Sequence, residues 1–147
     1  NYGMQDKKRV KQGIKYGMIY TLVIMGIGLI GLQVFAQPLA GVFSLSSETQ
    51  SLCVLAIRIV SLGYLFAGAN IAYQGIFQAM GCGVRSLIVS LLRLIIFALP
   101  LAALFAKCSG AEAKIWWSFP MAEGLAMLIA IVLMKKISDK KIRVMEE

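Results

Sequence analysis

Residues 59–84 form a run of 26 consecutive residues without a charged side chain, which is long enough to cross a lipid bilayer as a helix. One face of this helix is nonetheless polar and aromatic. Its members share one side at helical spacing, and we call them the polar stripe: Asn70, Tyr73, Gln74, Phe77 and Gln78. Amides are costly in hydrocarbon unless they meet partners or line a wet cavity. The run therefore favours a helix that lines a path through a protein over a plain membrane anchor.

The composition is typical of an integral membrane protein. Hydrophobic residues make up 59% of the chain and charged residues 15%, whereas soluble domains have about 45–50% and about 25%. The net charge is +8, but the basic residues are clustered beside the apolar runs. Such clusters are topology signals and can contact anionic lipid headgroups, so no nucleic-acid partner is expected. The three cysteines are isolated and histidine is absent, which predicts no metal site and no cofactor.

Four membrane spans are predicted, and they make residues 1–147 one all-α, polytopic helical bundle. The spans cover residues 14–36, 52–80, 86–106 and 115–134. After the first span, Gln37-Pro38 predicts a break, because a proline disfavours helix in the residue before it. Residues 39–45 are then expected to form a short interfacial helix.

The distribution of basic residues predicts the direction of the spans. Eleven of them lie in the two terminal segments and in the loop after the second span, whereas the two opposite loops hold only Lys107 and Lys114. Cytoplasmic loops carry the excess of lysine and arginine. Both ends of this multi-pass chain are therefore expected to face the cytoplasm at the cell membrane, with Trp116 and Trp117 at the outer interface.

Charged residues within the spans are candidates for function. Glu123 is the only carboxylate in a span, about 12 Å from the outer side at 1.5 Å per residue. It is predicted to take up a proton, to attract a cationic substrate or to form an ion pair. Arg58, about 9 Å from the same side, is its expected partner, and Arg93, about 10 Å from the inner side, ranks second. Pro100 should kink the third span and is a candidate hinge.

Two interpretations of the polar stripe stay open. The stripe could form the wall of a substrate cavity, or its amides could hydrogen-bond to neighbouring helices. An adjacent face of the same helix carries small residues, which predicts close helix packing: Gly68, Ala72, Gly75 and Ala79.

Five short motifs follow one another along the whole chain. They are Asn1-Tyr2-Gly3 with Asp6-Lys7-Lys8-Arg9-Val10; Pro38-Leu39-Ala40 with Phe43; Gln74 to Gly81; Arg93 with Leu99-Pro100-Leu101; and Trp116 to Glu123. In this order and at these spacings, they resemble the multidrug and toxic compound extrusion (MATE) transporters. The resemblance implies twelve helices in two lobes, of which this chain is similar to helices nine to twelve. The partners implied are the lipid bilayer and the remaining helices: the N-terminal lobe and the first two helices of this lobe.

The resemblance implies a cation-coupled secondary transporter, not an enzyme. Such a protein exports small cationic, amphipathic drugs by alternating access, in exchange for protons or sodium ions. The largely sodium-coupled members of the family carry an aspartate after the phenylalanine that matches Phe66, but this chain has Ala67 there. That carboxylate cannot be carried over, so a proton is the favoured coupling ion.

Alternative functions fit the same residues. The chain, which opens at Asn1 within a charged segment, is expected to be part of a larger protein, although a processed start is the alternative. It could instead be a self-contained four-helix exporter that dimerises. A non-transporting membrane subunit, in which the amides and Glu123 only hold helices together, is another possibility. A flippase for lipid-linked substrates is the last, since related families move lipid-linked sugars.

Overall fold

The computed structural model describes residues 6–138 and 140, and every regular element in these residues is a helix. The elements are α1 (Lys7–Gly41), α2 (Ser47–Leu62), α3 (Tyr64–Ala79), α4 (Gly83–Leu91), a π-helical segment (Leu92–Ala98), α5 (Leu99–Phe105), α6 (Ala111–Lys114), a 3-10 turn (Ile115–Trp117) and α7 (Ser118–Ile137). The predicted all-α class is confirmed. Asn1-Tyr2-Gly3, the start of the first of the five motifs, lies outside the described residues.

Within these residues, three helical stretches are long and apolar enough to span a membrane: Lys7–Gly41, Gly83–Phe105 and Ala111–Ile137. The α2–α3 pair passes the same test when its two helices are taken together, although they are bent by 47°. Counted in this way, the structure has up to four spans. Each helical stretch begins before its predicted first residue, and the first and last stretches also end after the predicted last residue, because the bounds were placed where the apolar runs begin and end.

Helix α1 continues through the proline at which the sequence predicts a break. Pro38 lies inside the helix, which ends at Gly41, and no separate interfacial helix forms over residues 39–45. Both of these predictions are wrong. Proline removes one backbone hydrogen bond, and Pro38 does so only a few residues before the end of α1, where little of the helix remains to be disrupted. In an apolar setting, the other backbone groups are best satisfied by staying helical.

The second predicted span is two helices that meet at Gly63. A Cβ atom placed on Gly63 would lie only 3.0 Å from the Cα atom of Pro120 in α7 and 3.3 Å from its Cβ atom. Glycine is therefore needed where the backbone of α7 approaches the α2–α3 junction. The uncharged run could predict the length of this span but not its bend.

The third span contains a π-helical segment immediately before Pro100. The N–H of Leu99 bonds to the carbonyl of Leu94, five residues earlier, and Pro100 is the second residue of α5. A proline ring has no N–H and crowds the carbonyl four residues before it, so a wider turn at this point relieves the regular helix. The role of Pro100 as a hinge stays a prediction.

Helix α3 is central to the bundle and packs against α1, α4 and α7. An apolar core forms at one end of the bundle, where the start of α1 meets the ends of α3 and α7, and its buried members are Val10, Phe77, Met80, Val89, Ala130 and Ile137. The opposite surface of α1 exposes large apolar side chains, including Ile24 and Ile27 at 67% each. Such a surface suits contact with lipid or with further helices.

One side-chain amide of helix α1 donates hydrogen bonds to α2 just before the bend. The Nε2 atom of Gln33 donates to the carbonyl of Arg58 at 2.8 Å and to Oγ of the buried Ser61 at 2.9 Å. Replacing Gln33 with leucine is expected to lower the free energy of unfolding by about 0.6 kcal/mol, the average for interhelical hydrogen bonds in membranes. Thermal unfolding of the detergent-solubilised protein measures the change.

The matched control for this prediction is Gln37→Leu, one turn further along α1. Gln37 is exposed, and its side chain makes no hydrogen bond within the described part of the chain. This variant should unfold at the temperature of the unmodified protein. If both variants lowered the unfolding temperature equally, a specific role for the Gln33 amide would be contradicted.

Candidate functional site

An ion pair joins Glu123 of α7 to Arg93 of the π-helical segment. The Arg93 Nη2 atom lies 2.8 Å from Oε1 of Glu123, and the two side chains are 20% and 16% exposed. The sequence ranks Arg58 ahead of Arg93 as the partner, and this ranking is wrong. Helix α2 begins at Ser47 instead of residue 52 and bends at Gly63, so depth estimated along a straight span misplaces Arg58. The π-helical segment packs directly on α7 and presents Arg93 to it.

Asn70 completes the contacts of the Glu123 side chain. Its Nδ2 atom donates to Oε2 of Glu123 at 2.8 Å and to the backbone carbonyl of the same residue at 2.9 Å. Asn70 itself is fully buried. One carboxylate oxygen therefore accepts a hydrogen bond from the Asn70 amide, and the other forms the ion pair with Arg93. The geometry favours the ion-pair role for Glu123, and the coupling role stays a prediction.

The two glutamines of the polar stripe bond to α4. Oε1 of Gln74 accepts from Oγ of Ser90 at 2.6 Å, and Nε2 of Gln78 donates to Oγ of Ser86 at 2.9 Å. These are interhelical hydrogen bonds, as one interpretation of the stripe predicts. Serines at positions 86 and 90 lie one turn apart, and this spacing is the signal in the sequence that could have identified them as partners.

The aromatic members of the polar stripe belong to the packed end of the bundle. Phe77 is fully buried in the apolar core, and Tyr73 packs against that core from its edge. Their rings stack with centroids 6.3 Å apart. In this structure Phe77 faces no open space, while Gln78 is exposed. The proposed contact of the stripe with substrate stays a prediction.

Arg58 lines a polar pocket that does not include Glu123 or its partners. The pocket has a volume of about 370 Å³ and lies between the end of α1 and the first half of α2, lined by Gln37, Ser47, Gln50, Ser51, Val54 and Arg58. The guanidinium of Arg58 is exposed and has no acidic partner among the described residues. An unpaired guanidinium beside hydroxyl and amide groups is suited to binding an anionic group.

A larger, apolar cavity of about 500 Å³ lies between α1 and α3. Small residues form much of its wall, among them Gly13, Gly17, Ala72, Gly75 and Ala79. A Cβ atom on Gly13, Gly17 or Gly75 would meet nothing within 4 Å. The row of small residues on α3 was expected to pack closely. Of the two glycines in this row, Gly68 does so against α1, where a Cβ atom would lie 2.8 Å from Cγ of Met25, whereas Gly75 does not among the described residues.

Comparison with known proteins identifies relatives along most of the chain. The MatE family model matches residues 1–104. The chain is 30% identical over 112 residues to the FAD transporter of Shewanella oneidensis, covering 76% of this chain and 25% of that protein. It is 24% identical over 137 residues to the multidrug export protein MepA of Staphylococcus saprophyticus, covering 93% of this chain and 30% of that one.

The fold is also similar to a solved structure. The Vibrio cholerae MATE transporter VcmN, crystallised in the bent form, superposes with a TM-score of 0.81 at 22% sequence identity. The match covers 98% of this chain and 32% of that one. The chain therefore spans about a quarter to a third of the length of these relatives.

Proposed function

The chain belongs to the MatE family, as its motifs suggest, and we propose that it forms part of a cation-coupled secondary efflux transporter that exports cationic, amphipathic compounds. It is a multi-pass membrane protein. Alternating access would require the remaining helices of the transporter, which supply the opposing wall of the substrate path. The coupling ion is a proton, in keeping with Ala67 at the position where the sodium-coupled relatives carry an aspartate.

The observation that carries this proposal is the apolar cavity between α1 and α3. Its volume of about 500 Å³ lies within the range of about 300–1,000 Å³ that ligand pockets occupy. Glycines on both walls leave room for the flat or branched apolar part of a drug-like molecule. Among the described residues, no acidic side chain lines the cavity, and Glu123 is already paired. The positive charge of the substrate would therefore be met by a carboxylate elsewhere in the transporter.

A second candidate is export of an anionic, nucleotide-bearing compound. The pocket at Arg58 favours it, because an unpaired guanidinium can bind a phosphate in a bidentate manner. The similarity to a FAD transporter supports the same substrate class. The two candidates use different cavities of this chain, so variants can separate them.

The test is transport by the full-length protein in proteoliposomes, with pH and sodium gradients applied separately. When a pH gradient drives protons inward, a fluorescent organic cation should be transported outward in exchange. A sodium gradient should have no effect on this transport. Gly75→Leu, which places a side chain in the apolar cavity, is expected to reduce transport of the cation about tenfold, the scale of lost pocket contacts. Gly31→Leu is the matched control, since a Cβ atom there meets nothing within 4 Å and Gly31 lies outside the cavity.

The outcomes distinguish the candidates. Transport of FAD in place of the cation, abolished by Arg58→Gln and unaffected by Gly75→Leu, would favour the second one. If Gly75→Leu and Gly31→Leu reduced transport of the cation equally, the cavity would not lie on the substrate path. Transport driven only by sodium would contradict proton coupling.

A further inference from the structure

Some polar side chains around Glu123 have hydrogen-bond partners for only part of their donor and acceptor atoms. Four buried side-chain atoms have no hydrogen-bond partner within the described part of the chain. Besides Nε1 of Trp116, they are Oδ1 of Asn70, Nε2 of Gln74 and Nε of Arg93. Both hydrogens of the Asn70 amide are already donated to Glu123, so its free atom is an acceptor. Gln74 and Arg93 have donors to spare.

These three atoms belong to residues at one junction, where α3 and the stretch from α4 to the π-helical segment meet α7. Asn70 and Arg93 both contact the carboxylate of Glu123. Gln74 lies one turn after Asn70 on α3 and bonds to Ser90, three residues before Arg93. These contacts bring α3, α4, α7 and the π-helical segment together at Glu123. Buried polar atoms that protein groups leave unpaired are normally satisfied by ordered water.

We propose that this junction is a water-binding site inside the membrane-spanning bundle. The water accepts hydrogen bonds from Nε of Arg93 and Nε2 of Gln74, and it donates one to Oδ1 of Asn70. A buried water typically makes about three hydrogen bonds, which matches the number of free atoms at this junction. Arg93 and Glu123 neutralise each other, so neither an anion nor a cation is favoured there, and a neutral molecule that both donates and accepts fits best.

Paired substitutions test the proposal by the sign of their effect in the full-length protein. Gln74→Met with Ser90→Ala removes an amide and its hydroxyl partner at nearly constant volume. If water occupies the site, the melting temperature falls by several degrees, because the water loses a partner and Arg93 and Asn70 lose the water. If the junction is dry, the melting temperature stays unchanged or rises, since an unpaired buried donor has been removed. That result would overturn the proposal.

The control pair is Gln78→Met with Ser86→Ala, which breaks the equivalent bond one turn further along the same two helices. No atom of Gln78 or Ser86 is buried without a partner, so this pair should shift the melting temperature less. A structure of the unmodified protein at a resolution that shows ordered water gives a second, independent measurement. Density within hydrogen-bond distance of Asn70 Oδ1 and Arg93 Nε supports the site. A side chain bonded directly to Asn70 Oδ1 refutes it.

Discussion

Replacing Glu123 with leucine is expected to lower the free energy of unfolding by about 3 kcal/mol, the lower end of the range for a broken buried ion pair. The loss arises because Arg93, only 20% exposed, keeps its charge without a counter-ion, and Asn70 loses the acceptor of its amide. The lower end applies because neither partner is completely buried. Denaturant or thermal unfolding of the solubilised full-length protein measures the change.

A double-mutant cycle separates the pair from its surroundings. Arg93→Met alone should be destabilising to a similar degree, and Arg93→Met combined with Glu123→Leu should recover most of the loss, because no buried charge then remains. Arg58→Met should be nearly neutral, since Arg58 is exposed and unpaired among the described residues. If Arg58→Met were as harmful as Arg93→Met, the pairing described above would be incorrect.

Replacing Gly63 with valine is expected to cost about 3 kcal/mol, the upper end for overpacked sites. Even a Cβ atom at this position would lie 3.0 Å from Cα of Pro120 and 3.2 Å from the carbonyl oxygen of Val60. These are backbone atoms, so they cannot rotate away as a flexible side chain would. The α2–α3 junction would have to separate from α7, and the loss should appear as a lower melting temperature.

Gly75→Ala is the control for this prediction, with an expected effect of opposite sign. Gly75 lies within α3, and a Cβ atom there meets nothing within 4 Å. Alanine favours helix over glycine by about 1 kcal/mol, so this variant should be unchanged or slightly more stable. Gly63→Ala should lie between the two. A harmless Gly63→Val would show that the close approach of Pro120 is not required.

The sequence was sufficient to predict what depends on periodicity and total hydrophobicity. The 26-residue uncharged run and the clustered basic residues predict a membrane helical bundle, and the helical spacing of Asn70, Gln74 and Gln78 predicts that these amides share one face. The structure directs all three toward neighbouring helices. Local pattern is enough for such features, because it does not depend on which helices become neighbours.

Features set by contacts between helices could not be predicted in this way. The partner of Glu123 depends on α7 packing against the π-helical segment, which no spacing within either helix reveals. The bend at Gly63 depends on Pro120, more than fifty residues later in the chain. Helix α1 passes through Pro38 because a hydrogen bond lost near the end of a long helix disrupts little of it.

The π-helical segment changes the rotational phase of the third span. Each hydrogen bond that closes over five residues encloses one residue more than an α-helical bond. Side chains after Ala98 are therefore turned by about one residue step, roughly 100°, from the positions that a regular helix would give them. Deleting a single residue between 94 and 98 would remove this phase change without shortening the span below the bilayer thickness, and Pro100 would then crowd the carbonyl four residues before it. It would also turn the side chains of α5 relative to α7 and leave Arg93, which precedes the deletion, beside Glu123. A one-residue deletion at this point therefore alters the contact of α5 with α7 while the Arg93–Glu123 pair is kept.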